Sequence, residues 1–430
     1  MAFGSALNFR NFRLFFFGQS VSLIGTWMQQ VAMIWLVYRL SDSAFLLGLV
    51  GFCSQAPILL FSSLAGVYTD RWNRHRTIIV TQALAMLQAA ILVVLTLTGV
   101  VTVWQVILLS IFLGMVNAVD MPARQAFLIE MIEGREHLPN AIGLNSSVFN
   151  AARLVGPAIA GFLIAAAGEW LCFLINAVSY VAVLAALLAM RVAPRVPNGH
   201  PKHVLVELKE GFLYAFGFRP IRILLLLLAI VSLAAMPLMV LMPIFATDVL
   251  HGGPETLGVL TASMGMGALI GALIVASRKT VLGLGRQIAW SSAAFSVAVV
   301  AFSFSDVLWL SSLLLAVVGF SMMMETAATN TILQTIVDED KRGRVMSFYA
   351  VAFVGMAPIG SLLAGSLASQ IGAVHTVQIA GVMCLLGAVF FVRQLPVLRI
   401  MVRPIYQRIG ILPGPLSGMP STADTPIDVS

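Results

Sequence analysis

Apolar stretches of about 20 residues recur along the whole chain, broken by short polar segments rich in arginine. A helix rising about 1.5 Å per residue needs about 20 such residues to cross a hydrocarbon core about 30 Å thick. The pattern predicts an all-α membrane protein with twelve spans, near 14–38, 44–67, 78–98, 102–123, 139–166, 170–190, 222–247, 255–277, 287–305, 307–330, 345–370 and 374–394. Strict alternation of apolar and polar positions is absent, which argues against a transmembrane barrel. The first apolar stretch outruns the h-region of a signal peptide, and no small-x-small cleavage site follows it, so it is expected to stay as the first helix.

Composition agrees with that solvent. Hydrophobic residues make up 60% of the chain and charged residues 10%, against about 25% charged in an average soluble protein. With twelve spans and both termini on one side, twenty-three of the twenty-five Lys and Arg fall on that side; Arg39 lies opposite and Arg153 lies within a span. Basic residues mark the cytoplasmic face. The expectation is a multi-pass protein of the bacterial inner membrane with both termini cytoplasmic. The net charge of +7 then reflects topology and contact with anionic lipid headgroups, and nucleic acid is not an expected partner.

The chain divides in two. Residues 1–190 and 222–395 each hold six spans. Between them, 191–221 reads as a linker with an amphipathic helix, with Val204, Leu205, Leu208 and Phe212 on one face and Glu207, Lys209 and Glu210 opposite. The remainder, 396–430, reads as a cytoplasmic tail expected to be disordered, the stretch after Arg408 being rich in Pro, Gly, Ser and Thr. The halves echo each other at an offset near 205. Gly66 matches Gly271, Gly114 and Asp120 match Gly319 and Glu325, and Gly156-Pro157 with Gly161 matches Ala357-Pro358 with Gly360. Parallel six-helix repeats are a transporter architecture with the substrate site between the halves.

Particular residues carry a family resemblance. Gly66-Val-Tyr-Thr-Asp70-Arg71-Trp-Asn-Arg74-His-Arg76 looks like the signature loop of the major facilitator superfamily. Phe9 to Arg13, Gly25 to Gln29, Pro122 to Gln125, Pro139 to Asn145 and Ala152 to Pro157 narrow it further. They resemble the bacterial drug-efflux branch that includes the enterobactin exporter and macrolide-efflux proteins, also termed transmembrane secretion effectors. Some members carry an acid in the first span where this chain has Thr26. The resemblance implies two pseudo-symmetric six-helix bundles and a monomeric, proton-coupled exporter of small molecules such as siderophores or drugs. It works by alternating access and uses no cofactor. An importer or a lysophospholipid flippase of a neighbouring branch is the alternative. The resemblance also implies a cytoplasmic latch of Asp70, Arg71, Asp120 and Arg344; otherwise Arg71, Arg74 and Arg76 only set orientation. If the latch operates, Asp70→Asn cuts transport in a cell assay while the variant still inserts at normal levels.

Other candidates follow from position. Gly66 permits close helix approach. Asp120 and Arg124 are four apart on one face and can pair, as a static link or a moving gate. Arg153 lies about 22 Å into the fifth span at about 1.5 Å per residue, where a charge usually faces the bundle interior or a water-filled cavity. It is read either as an anion-attracting group or as an internal partner of Asp120, Asn117, Asn145 or Asn150. Glu325 lies at the matching depth of the tenth span, so Asp120 and Glu325 are the carboxylates considered for proton coupling. Gly156-Pro157 looks like the exporter-associated kink of the superfamily, or a packing kink alone. Thr26 and Gln30, one turn apart, are expected to line the cavity, with Asn150. No Gly-rich phosphate loop ending in Lys and no cluster with metal-ligand spacing is present, so neither an enzyme nor a metal site is expected.

Overall fold

The computed structural model describes residues 5–69, 72–132, 135–192, 213–278 and 280–412. The first half contains α1 Arg10–Ser41, α2 Ala44–Thr69, α3 Arg74–Leu97, α4 Val103–Glu130, α5 Leu138–Ala167 and α6 Glu169–Leu188. The second contains α7 Arg219–Ile244, α8 Pro254–Ser277, α9 Leu284–Phe302, α10 Leu308–Ile336, α11 Glu339–Phe353, α12 Met356–Ile371 and α13 Ala373–Arg408. The helices α11 and α12 form one span, broken at Val354-Gly355. This makes twelve spans. Eleven are long and apolar enough to cross a membrane by length and composition; the other, α9, has 19 residues and opens on Leu-Gly-Arg-Gln, which lowers its mean hydropathy.

Contacts between helix ends define two faces. On one, Ala6 N–H donates to Asn140 (3.0 Å), Asn11 donates to the Arg191 carbonyl (2.9 Å), Arg74 pairs with Glu130 (2.7 Å) and Arg219 donates to Gln394 (2.6 Å). This is the basic face. On the other, Arg39 forms a fork with Glu169 at 2.7 and 3.3 Å, so the one arginine predicted there has a local anion.

Within each half the helices pack through glycines at matching places. Gly114 of α4 lies against Ser54 and Pro57 of α2, and Gly319 of α10 lies against Met264 and Ala268 of α8. Gly156 of α5 meets Ile24 and Trp27 of α1, and Gly360 of α12 meets Leu233 and Met236 of α7. The α5–α6 and α12–α13 connections turn on Gly168 (φ 93°) and Gly372 (φ 85°), a backbone region that side chains with a Cβ avoid. The offset in this part is therefore 204, and Gly156 and Gly161 correspond to Gly360 and Gly365. The sequence match of Gly156-Pro157 to Ala357-Pro358 is out of register, because a shared Pro outweighed the packing glycines.

A second correction concerns the end of the chain. Disorder is expected from 396, yet α13 continues through Pro396 and Pro404 to Arg408. Leu398 and Val402 are buried there, and Leu395 and Tyr406 complete a stripe at helical spacing. That packing overrides the local Pro content. The amphipathic helix expected before Leu213 and the tail beyond Leu412 lie outside the described residues.

Candidate substrate cavity and its gates

The halves meet along two helix pairs, α2 with α12 and α5 with α8. Each pair has a glycine-on-glycine crossing. A Cβ on Gly48 would sit 2.5 Å from the Ser361 carbonyl oxygen and 2.7 Å from the Gly365 Cα. A Cβ on Gly161 would sit 2.7 Å from the Pro254 carbonyl oxygen and 2.8 Å from the Gly258 Cα. Only glycine lets two backbones approach this closely. Gly48 and Gly258 each sit at the start of their helix, and Gly161 and Gly365 near the end of theirs, so both crossings lie toward the Arg39–Glu169 face.

A hydrogen-bonded link joins the halves on that same face. The Tyr38 hydroxyl donates to Asp248 Oδ1 at 2.8 Å and accepts from Thr247 Oγ1 at 2.7 Å. Thr247 and Asp248 stand in a single π-turn, Phe245–Val249, that ends the α7 span, a local winding often found at functional positions. Toward the basic face the packing loosens. Gly143 of α5 and Gly343 of α11 have nothing within 4 Å of where a Cβ would stand among the described residues.

A cavity of about 240 Å³ lies between the halves. Thr26, Gln29 and Gln30 of α1, Gln55 of α2, Asn117 of α4 and Tyr180 of α6 line it from the first half. Met236, Met239, Val240, Ala357 and Ser361 line it from the second. The first half supplies most of the polar groups, mixed with Met33, Ile34, Leu47, Val50, Ile58 and Leu113, and the second half adds Ser361 to its apolar side chains. Thr26 and Gln30 are exposed and line it, and the Thr26 hydroxyl donates to the Ser22 carbonyl at 2.9 Å. Behind Gln29 the polar chain continues into the first bundle: Asn176 donates to Gln29 (2.8 Å) and Gln29 to Gln88 (2.9 Å).

A smaller recess of about 30 Å³ is lined by Trp27, Gln30, Met239 and Met264; Arg153 lines neither it nor the main cavity, and reaches the recess wall only through Trp27. Its guanidinium carbon is 5.8 Å from the centroid of the Trp27 ring, which contacts Phe149 edge-on. A guanidinium at that distance over an indole gains a modest cation–π attraction. Gly265 of α8 presses on the Arg153 carbonyl. No carboxylate pairs with Arg153 among the described residues. Asn150 does not line the main cavity; it donates to the Ser146 carbonyl of its own helix at 2.8 Å.

The two carboxylates expected to be equivalent differ. Asp120 is buried, accepts from Thr81 (2.7 Å) and Gln82 (3.0 Å), and pairs with Arg124 on its own helix. It has no link to Arg153. Glu325 is fully buried in α10; one oxygen accepts from Thr329 at 3.2 Å and the other, Oε2, has no partner among the described residues. Four residues after each acid stand Arg124 and Thr329 respectively, so the first half neutralises its acid and the second does not. Of the proposed latch, Asp70 and Arg71 lie outside the described residues. Arg344 is half-buried in α11, and Arg74 is engaged with Glu130. Gly156 packs on α1 while the Pro157 carbonyl faces Gly258, so this element of α5 touches both halves.

Comparison with known proteins agrees with this architecture. Residues 4–402 match the family model described as transmembrane secretion effector. The staphyloferrin A transporter of Staphylococcus aureus is 27% identical over 88% of this chain and 96% of its own length. The multidrug efflux pump Tap of Mycolicibacterium fortuitum is 29% identical over 80% of this chain and 85% of its own. A bacterial homologue of the iron transporter ferroportin, solved in an inward-facing state, superposes with a TM-score of 0.68 at 17% identity, covering 90% of this chain and 98% of that one. The chain belongs to the transmembrane secretion effector family of the major facilitator superfamily and is a multi-pass membrane transporter, not an enzyme.

Proposed function

We propose that this protein is a proton-coupled exporter of small amphipathic molecules, siderophores or drugs among them, working by alternating access. The observation that carries the reading is the cavity between the halves, largely apolar with methionines from both halves and polar groups mainly from the first, capped at one end by the two Gly–Gly crossings and the Tyr38–Asp248 link. Flexible methionines suit substrates of varied shape. The arginine-rich face is the cytoplasmic one by the positive-inside rule, so the crossings close the outer side and the cavity is offered to the cytoplasm. The relatives named as siderophore and drug transporters support the substrate class. The site is complete within one chain, which supports a monomer.

Proton coupling falls to Glu325. It is buried without a cation beside it among the described residues, so it can take and release a proton without breaking an ion pair. Asp120, held by Arg124, Thr81 and Gln82, acts as a structural anchor of the first bundle. Arg153, with no carboxylate paired to it among the described residues and set over Trp27, which lines the recess between the halves, attracts the anionic part of a substrate. Arg153→Ala should then weaken binding of anionic substrates severalfold and leave cationic ones unchanged; equal binding of an anionic substrate contradicts this role.

Alternating access has its own test. Spin labels at positions 143 and 343, the two open glycines of the basic face, should give two distance populations whose ratio changes with pH. A single population at every pH counts against two states. Tyr38→Phe removes both hydroxyl bonds of the outer link; at about 0.5–1.5 kcal/mol for each net hydrogen bond, it should shift that ratio about 5- to 150-fold toward the state closed on the basic face.

A further inference from the structure

A second cavity, of about 320 Å³, lies outside the transport pathway, between the start of α7, the Val281–Gly285 turn and the last four turns of α13. Its floor is apolar: Leu224, Leu284, Phe391, Leu398 and Val402 are all buried. Its rim carries Arg286, Arg399 and Arg403, all exposed, and no carboxylate among the described residues lines it. None of these three arginines has an ion-pair partner among the described residues. Arg399 and Arg403 are one turn apart on α13, on the part of that helix assigned from the sequence to the cytoplasmic tail. Three unpaired guanidinium groups around an apolar pocket match an amphipathic anion: charge outside, hydrocarbon inside.

We infer that this pocket binds an anionic phospholipid, with an acyl chain along Leu224, Phe391 and Leu398 and the phosphate against Arg286, Arg399 and Arg403. The cavity size, at the low end of small-ligand pockets of about 300–1,000 Å³, suits part of one chain and excludes the headgroup, which stays at the rim. The chain beyond Leu412 is the other possible occupant, and Leu412 itself touches the pocket. It offers only isolated apolar residues, Leu416, Met419, Ile427 and Val429, set among Pro, Gly, Ser, Thr and Asp, so it has no continuous apolar run to fill the floor. The inference uses the membrane topology and not the substrate of the transporter, so it stands or falls apart from the proposed export.

Native mass spectrometry of the full chain in detergent tests it, with dioleoyl phosphatidylglycerol and dioleoyl phosphatidylcholine as probes. The parent should retain one phosphatidylglycerol in preference to phosphatidylcholine. Arg399→Gln and Arg403→Gln should each lower that affinity about fivefold, the change that about 1 kcal/mol per basic residue at an anionic surface gives. Leu398→Trp, which fills the floor, should abolish the retained lipid with either headgroup. If that variant elutes as misfolded protein, the two exposed arginine variants carry the test alone. Equal retention of the two lipids, or a preference that survives the double arginine variant, overturns the inference. So does equal competition by glycerol phosphate, which marks a free-anion site, or lipid binding that appears only after removal of 413–430, which marks the tail as occupant.

Discussion

Leucine in place of Gly161 should abolish transport while leaving the protein folded and in the membrane. A Cβ at this position already falls within 2.8 Å of the Pro254 carbonyl and the Gly258 Cα, both backbone atoms of the other half. Backbone cannot swing aside as a flexible side chain can, so the halves must separate. Overpacking a tight contact costs typically about 1–3 kcal/mol, which biases a two-state equilibrium about 5- to 150-fold. The larger figure applies here, because four carbons are added where one does not fit. Because the clash lies between the halves, each bundle keeps its own packing. Gly156→Leu is the contrast: its clash is with Trp27 and Ile24 inside the first half, so that variant should lose expression and thermal stability. Transport and melting temperature, measured on both, separate the two outcomes. Normal transport by Gly161→Leu would show that the crossing need not close.

The second large effect is expected at Glu325. Glu325→Gln keeps the shape and the Thr329 hydrogen bond but cannot exchange a proton. Gradient-driven transport should fall at least about tenfold, and its dependence on external pH should vanish, while substrate binding persists. Asp120→Asn should act differently. It discharges the partner of Arg124 and weakens the contacts from Thr81 and Gln82. Breaking a buried pair by removing one partner costs about 3–5 kcal/mol; with the Arg124 side chain 26% exposed, a smaller loss of about 1–3 kcal/mol is expected. That loss appears as a lower melting temperature, with residual transport still dependent on pH. If Asp120→Asn instead loses the pH dependence and Glu325→Gln keeps it, the roles of the two acids are reversed.

The contrast between these acids also marks what the sequence could reveal. Membrane depth and the 205-residue echo place Asp120 and Glu325 at equivalent sites, and hydropathy alone carries that signal. Their difference rests on position 124 against position 329, one helical turn on, and is legible once the repeat is aligned. The Asp120–Arg124 pair follows from its spacing. Arg153 could not be assigned in the same way, because the alternatives lay on different helices and only tertiary packing places it over Trp27. The crossings at Gly48–Gly365 and Gly161–Gly258 escaped notice for a related reason. Glycines are frequent in these spans, and nothing local distinguishes one that meets a backbone from Gly143, where a Cβ would meet none of the described residues. The Tyr38–Asp248 link joins residues 210 apart through a π-turn and leaves no periodic trace. The helical run past Pro396 was hidden by composition, although Leu398 and Val402 at i and i+4 were its signature.

The central claim is export driven by a proton gradient. It is tested most directly by the steady-state accumulation of a panel of anionic siderophores, macrolides and cationic dyes in efflux-deficient bacterial cells. The cells carry this chain, its Glu325→Gln variant or an empty vector, each with and without a protonophore. The account predicts that at least one compound accumulates less in cells with the parent chain, and that both the protonophore and Glu325→Gln restore the vector level. Unchanged accumulation of every compound, or a rise that the protonophore removes, would contradict it.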